Sequence, residues 1–343
     1  MESPRSYRFS FALLAIALFL SWLLNISSGS VSIPFADVLS SLLGKNTGVA
    51  SWDYIIWDYR VPKGFTSILV GGGLSLSGLL MQTLFRNPLA GPFVLGISSG
   101  ASLGAALLLM GTSILAGFTS FSFLGDVSLA IAASIGSFLV LAVVMLVAQR
   151  VKDTMALLII GLMFGSITSA IVSVLAYFSS AENLQRFTFW SFGSVGNLSM
   201  DQLLLLAGIV AIGIILSILS IKSLNAFLLG ENYAQSLGVS LKKSRTAIII
   251  ATGLLAGGIT AFAGPIAFVG LAVPHLTRQI FDTMEHKILI PAVLLYGAIL
   301  MLLCDTLAQL PDSASVLPIN AITSLVGAPV VIWLLVRKRK MIF

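Results

Sequence analysis

Long apolar runs alternate with short polar breaks along all 343 residues of the chain. A helix crossing the hydrocarbon of a bilayer needs about 20 predominantly apolar residues. That rule predicts ten spans, near 9–25, 64–84, 93–110, 127–148, 155–178, 202–221, 244–263, 265–281, 288–308 and 321–337. A shorter apolar piece, Phe187–Val195, falls within 187–197 and cannot cross; a re-entrant or surface helix is expected there. The fold class expected is all-α: one polytopic transmembrane domain over 1–343, with loops too short to house a separate soluble domain.

The sharpest interruption in this pattern is Arg86-Asn87-Pro88-Leu89-Ala90-Gly91-Pro92, between the apolar runs Gly71–Leu84 and Phe93–Leu109. Neither proline can donate a backbone hydrogen bond, and Pro88 biases Asn87 away from helix. At membrane depth such a break must be buried in protein or line a watery cavity. A plain anchor helix has no need of one, so the segment reads as machinery.

Composition agrees: 57% of residues are hydrophobic and only 9% charged, against roughly 25% charged in an ordinary soluble domain. Mean hydropathy is +1.04. The net charge of +6 could suggest nucleic acid, but the cations sit at loop ends, where positive-inside topology accounts for them. With ten spans and the amino end inside, the inner segments hold Arg5, Arg8, Arg86, Arg150, Lys152, Lys222, Lys242, Lys243, Arg245, Arg278, Lys287 and the Arg337–Lys340 tail. The outer ones hold Lys45, Arg60, Lys63 and Arg186, with Asp37, Asp53, Asp58, Asp126, Glu182, Asp201 and Asp312. Both termini are therefore expected in the cytoplasm, with lipid as the surrounding partner. Arg5 and Arg8 before Phe9–Leu24 resemble a signal peptide, but the spans that follow favour a retained first helix.

Glycines stud the spans, and pairs such as Gly161/Gly165 and Gly253/Gly257 are spaced to let helices approach closely. Packing within one subunit is the favoured reading, a dimer seam the other. Leu89-Ala90-Gly91-Pro92-Phe93-Val94-Leu95-Gly96 echoes Phe262-Ala263-Gly264-Pro265-Ile266-Ala267-Phe268-Val269-Gly270. Such an echo suggests a duplicated half, as in many transporters.

The widest inner loop, 222–245, has as its core Leu228-Leu229-Gly230-Glu231-Asn232-Tyr233-Ala234-Gln235-Ser236-Leu237-Gly238-Val239. Gly230 and Gly238 can end helices, and Glu231 near a helix start suits the dipole. Between the glycines, Tyr233, Ala234 and Leu237 are expected on one face. That short helix has no basic residue on its polar face, which favours docking on protein over lying on lipid headgroups.

His275 reads as a packed, hydrogen-bonded residue, and His286 is expected in the next loop. Two histidines and Cys304 make no metal site, and one cysteine excludes an internal disulfide. Asp305 could be a buried functional acid or a helix-end acid reaching outer water. The chain has no Gly-x-x-x-x-Gly-Lys-Ser/Thr loop, no His-Glu-x-x-His, no Gly-x-Ser-x-Gly and no run of intramembrane acids. No enzyme activity and no cofactor is expected, and a transporter without its own energy source suggests an external motor.

From about Tyr59 to Leu335 the chain resembles the FecCD-type permeases of iron-siderophore, haem and vitamin B12 ABC importers. The resemblance rests on ordered motifs: Arg60-Val61-Pro62-Lys63; Ser77-Gly78 with Gln82; Arg86–Ala90 with Leu95–Ala101; Trp190, Gly193 and Ser194. Further on come Leu229-Gly230-Glu231 with Ala234 and Leu237-Gly238-Val239, then Phe268–Leu271 with Pro274-His275 and Arg278, Asp305, Leu317-Pro318 and Gly327-Ala328-Pro329.

The resemblance implies a type II importer permease in a bacterial cytoplasmic membrane, paired with a second permease subunit as a homodimer or close heterodimer. Two cytoplasmic ATPase subunits and an outer substrate-binding protein are implied as partners. Leu229, Gly230, Glu231, Ala234, Leu237, Gly238 and Val239 would couple to the ATPase. Asn87 and Leu89 would form the cytoplasmic gate. Arg60 and Lys63 would meet acids on the binding protein; taken alone, they could equally be interfacial snorkelers. An iron siderophore is the substrate expected first, with cobalamin and haem after it; an ion-coupled secondary transporter and an assembly protein are the readings outside this class. Four positions depart from the family pattern: Gln309 stands where an Arg is common, Val316 and Asn320 replace a Glu and a Gly, and Lys63 replaces the commoner Arg, keeping the charge without its two-pronged geometry. Altered binding-protein contact is expected from them.

Overall fold

The computed structural model describes residues 7–111, 125–148, 150–151, 154–309 and 316–336. Arg5, Lys152, Asp312 and the Arg337–Lys340 tail, which entered the charge count, lie outside the described residues. The described chain is helical almost throughout, and its only extended pairing is the bridge between Gln309 and Val316. We number the helices α1 Arg8–Ser27, α2 Phe35–Leu42, α3 Ala50–Phe85, α4 Ile97–Met110, α5 Gly125–Ala148, α6 Thr154–Tyr177 and α7 Ala181–Ser191. They continue as α8 Met200–Leu219, α9 Ile221–Leu228, α10 Glu231–Ser236, α11 Leu241–Ala263, α12 Val269–Phe281, α13 His286–Ala308 and α14 Ile319–Val336.

Each of the ten expected spans holds a helix, but they are unequal. Among the described residues seven are long and apolar enough to cross a membrane by themselves: α1, α3, α5, α6, α8, α11 and α13. The helices α4, α12 and α14 are shorter. The eighth span, expected from residue 265, begins only at Val269, because Gly264 and Phe268 take left-handed backbone at φ 73° and 66°. The second span reaches well beyond its expected start. It runs as one 36-residue helix from Ala50, with a wide turn at Ile55–Arg60. The non-crossing helix also begins earlier than its apolar signal, at Ala181, where the Ser180 hydroxyl accepts the Asn183 N–H.

Helix α3 is the axis of the molecule. Its apolar part is buried almost all round, the pattern of a helix enclosed by other helices. Close approach is what allows that enclosure. A β-carbon on Gly78 would overlap the Gly270 carbonyl of α12, and one on Gly71 would overlap the Gly297 carbonyl of α13. Gly161 of α6 sits against the backbone at Val94–Leu95, and Gly253 and Gly257 of α11 against Leu141, Ile97 and Ser137. These glycines serve packing inside one chain. By contrast, α1, α6 and α8 remain largely exposed in the single chain.

At the end where α3 starts, polar groups are satisfied internally. The Arg60 guanidinium, 7% exposed, donates to the carbonyls of Ile26 at 2.9 Å, Ser27 at 3.1 Å and Val31, closing the carboxyl end of α1. Lys63 Nζ lies 3.1 Å from Asp305 Oδ1. The other Asp305 oxygen accepts from Asn25 Nδ2 at 2.8 Å and Gln309 Nε2 at 3.0 Å. Asp305 is thus a buried, paired structural acid and does not reach outer water. Gln309, in the place of a common Arg, still bonds it.

Removing one partner of a buried pair is more costly than the pair's net worth, about 3–5 kcal/mol. Lys63→Met is therefore expected to lower the thermal unfolding midpoint of the solubilised protein clearly, and Lys63→Arg to keep most of it. Equal midpoints for Lys63→Met and the parent would show that the cluster does not hold this end together.

Candidate functional site

The break after α3 is built from a cap and a turn. Arg86 takes left-handed backbone (φ 45°, ψ 40°), which costs a non-glycine residue about 1–2 kcal/mol. Two bonds fix it there: Arg86 N–H to Thr83 O at 3.3 Å and Asn87 N–H to Gln82 O at 3.1 Å, the paired bonds of a Schellman cap. Asn87 then makes its own turn. Its Oδ1 accepts the Leu89 N–H at 2.9 Å, and its carbonyl accepts the Ala90 N–H at 3.1 Å. Pro92–Leu95 form a single tight turn, and Gly96 at φ 70° releases the chain into α4.

Helix α12 holds this turn in place. His275 Nε2 lies 2.7 Å from the Pro88 carbonyl, an acceptor, so that nitrogen carries the hydrogen. Arg278 Nη1 donates to Gln82 Oε1 at 2.8 Å, and Gln82 Nε2 donates to the Leu271 carbonyl at 3.1 Å. The amides freed by the break thus find partners in α3 and in the turn itself, and the Pro88 carbonyl finds one on α12, as backbone in a membrane must. Ala90 is buried, whereas Leu89 projects with 46% of its surface exposed. Asn87 shapes the turn, and Leu89 is the side chain that the turn presents.

The segment after α9 lies beside this break. Gly230 (φ 100°) starts α10, and Gly238 (φ 79°) ends it with another Schellman cap, Val239 N–H to Ala234 O at 3.1 Å and Gly238 N–H to Gln235 O at 2.9 Å. The expected single face of Tyr233, Ala234 and Leu237 is corrected here. Ala234 is fully buried and anchors the helix, while Leu229, Tyr233 and Leu237 stand 54–61% exposed. Val239 packs on the main core. Glu231 pairs with Arg245 of α11, so its charge is engaged within the chain. Arg86 joins the two sites: a β-carbon on Gly230 would stand 3.6 Å from its Nη1.

Arg60 and Lys63, expected at a docking surface, are placed together at the other end but turned inward, as described above. Nearby lies the second break, Gly264–Phe268. The Ala263 carbonyl accepts the Ser194 N–H at 2.8 Å, and Asn320 Oδ1 accepts the Ala267 N–H at 3.0 Å. Asn320, one of the family departures, thus ties α14 to this break. A cavity of about 1030 Å³ opens here among α4, α5, α7 and the break, lined mainly by apolar groups with Asn183, Arg186, Trp190 and Gln202. It touches neither Asn87 nor Leu89. Among the described residues no three His, Cys, Asp or Glu gather to hold a metal ion.

Comparison with known proteins decides the lineage, for the FecCD transport family model matches residues 15–337. The chain belongs to the FecCD transport family. It is 35% identical over 340 residues to the vitamin B12 import system permease protein BtuC of Klebsiella pneumoniae, covering 99% of this chain and 96% of that one. The BtuC protein of Salmonella typhi is 34% identical over 328 residues, 95% of this chain and 94% of that one. A solved structure described as an inward-facing conformation of a metal-chelate type ABC transporter superposes with a TM-score of 0.83 at 29% identity, covering 97% of this chain and all of the other. This FecCD chain is a multi-pass membrane transport subunit without a catalytic domain, the permease of an ABC importer.

Sequence reasoning missed the roles of Gln82 and Arg278, present only as motif residues, and misplaced His286. That residue is the first of α13 and fully buried. Its neighbours Glu285 and Lys287 gave the stretch the polarity of a loop.

Leaving a buried hydrogen-bonding group unsatisfied costs about 1–3 kcal/mol. Gln82→Leu, which strips both Arg278 and the Leu271 carbonyl of a partner, is expected to lower the unfolding midpoint of the purified permease and to raise proteolytic cutting at Leu89. An unchanged cutting rate would mean that α12 does not hold the break.

Proposed function

We propose that this permease carries a bulky corrinoid, vitamin B12, in a binding-protein-dependent importer, and that an iron siderophore is the second reading. The sequence expectation put the siderophore first. The full-length likeness to two BtuC permeases named for vitamin B12 import reverses that order. In this reading two permease copies enclose the pathway, two ATPase subunits attach to the side bearing Leu229, Tyr233 and Leu237, and a binding protein delivers the ligand at the opposite side. The side with Leu229 is cytoplasmic, and so are both termini.

The observation that carries the mechanism is the adjacency of two unlike surfaces. One is an exposed apolar triplet, Leu229, Tyr233 and Leu237, on and beside a short helix flanked at both ends by glycine. The other is the rigid turn that presents Leu89, and Arg86 of that turn extends toward Gly230, where an added β-carbon would stand 3.6 Å from its Nη1. Motion of the docked ATPases would reach the turn through this proximity, and Leu89 would open or close the cytoplasmic end of the pathway by alternating access. Leu229, Gly230, Glu231, Ala234, Leu237, Gly238 and Val239 are the coupling residues in this reading. Glu231 and Ala234 act from within, through Arg245 and through packing. Arg60 and Lys63 shape the docking face from beneath, since their charges are spent on Val31, Ile26 and Asp305.

The test is uptake by proteoliposomes containing the permease, its ATPases and its binding protein. ATP-dependent accumulation of cyanocobalamin is expected. Accumulation of a ferric siderophore in its place would move the ligand to the second reading. Uptake that follows an ion gradient with no ATPase present would overturn the importer mechanism.

A further inference from the structure

A buried clamp ties the exposed segment to the break by a second route, independent of Arg86. His286 is fully buried, and both its ring nitrogens are engaged. Nδ1 lies 2.6 Å from Asn225 Oδ1, and the His286 backbone N–H donates to the same oxygen at 3.1 Å. Asn225 Nδ2 donates to Glu285 Oε1 at 2.7 Å, which turns the amide oxygen toward His286. Facing an acceptor, Nδ1 carries the ring hydrogen. Nε2 lies 2.9 Å from Thr83 Oγ1. In a neutral ring, the form that burial without a counter-charge favours, Nε2 is an acceptor, and the one hydrogen of the Thr83 hydroxyl is shared between it and the Leu79 carbonyl, also 2.9 Å away.

The positions of the three residues give the clamp its meaning. Asn225 belongs to α9, one turn before Leu229 and Gly230. Thr83 lies in the last turn of α3, and its carbonyl accepts the Arg86 N–H that caps the break. His286 opens α13, whose body packs along α3. One imidazole therefore spans the coupling side and the gate side, through a part-buried bond to Asn225 and a buried one to Thr83.

We propose that His286, with Asn225 and Thr83, is a positioning device that locks the exposed segment and the Leu89 turn into one body, so that displacement of the first is displacement of the second. The proposal rests on the reading that the Leu229–Val239 segment engages the ATPases, but the clamp can be tested apart from it. Spin labels at Leu89→Cys and Ser236→Cys, in a Cys304→Ser background, report the distance between the turn and the segment. Diluting labelled into unlabelled permease isolates the distance within one chain.

With the clamp intact, the full-length permease is expected to give one narrow distance distribution, alone, with its ATPases, and with ATP trapped on them by vanadate. Asn225→Ala or Thr83→Val is expected to broaden or split it, and the double variant to do no more than the worse single one. Thr83→Ser, which keeps the hydroxyl, should remain narrow. A residue that merely adds stability would lower the unfolding midpoint and leave the distribution of the folded protein narrow. Narrow distributions in both single variants would overturn the clamp, and so would a parent distance that moves with nucleotide. Failure of the ATPases to bind at all would instead defeat the coupling reading, and the nucleotide-free distances would still decide the clamp.

Discussion

Backbone polar groups in a bilayer have no water to fall back on, and this constraint governs the molecule. A continuous helix meets it alone; a broken one needs help from its neighbours. Between α3 and α4 the chain leaves helical geometry for about ten residues, and the freed groups find specific partners: Thr83 and Gln82 for the cap, Asn87 for the Leu89 amide, His275 for the Pro88 carbonyl. The help from outside comes from α12, through His275 and Arg278, and α12 is itself short because a second break precedes it. The two breaks thus support each other through α12. Each leaves an apolar helix that would otherwise be an inert span free to carry a turn.

The same constraint explains the glycines. Helix α3 is enclosed by α12 and α13 at backbone contact distance, and only residues lacking a β-carbon fit at Gly71, Gly78, Gly270 and Gly297. Without a hydrophobic drive between helices in lipid, such close packing and buried polar bonds supply the cohesion. Polar side chains are concentrated at the two ends of this axis. Lys63, Asp305, Asn25 and Gln309 join α1, α3 and α13 at one, and Gln82, Arg278, Thr83, His286 and Asn225 join α3, α9, α12 and α13 at the other. The first cluster fixes a face; the second connects an exposed segment to a turn.

Much of this was legible in the chain. Apolar length located a helix in each of the ten expected spans, and Pro88, Pro92 and the flanking runs marked the break. Gly230 and Gly238 marked the ends of α10 because their left-handed backbone is what glycine permits. Other features were hidden for identifiable reasons. The side chains that hold the break are some 190 residues away in sequence, as in Gln82 with Arg278 and Pro88 with His275, and pattern reading sees only local order. The burial of Ala234 depends on how α10 docks, which a six-residue stretch cannot show by periodicity. Arg60 and Lys63 looked like docking charges because their internal partners, the carbonyls of Ile26, Ser27 and Val31 and the Asp305 carboxylate, lie outside their own helix. The ligand was not written in any motif, and full-length kinship favoured cobalamin.

The central claim is that the turn presenting Leu89 is the moving cytoplasmic gate and is driven from the neighbouring segment. The most direct measurement is labelling of Leu89→Cys, in a Cys304→Ser background, by a membrane-impermeant maleimide added to the cytoplasmic side of reconstituted transporter. The account predicts that the labelling rate differs between the nucleotide-free and the ATP-trapped states, and that this difference disappears when Tyr233 and Leu237 are replaced by glutamate. A labelling rate that is the same in both nucleotide states would contradict it and leave the break a static turn.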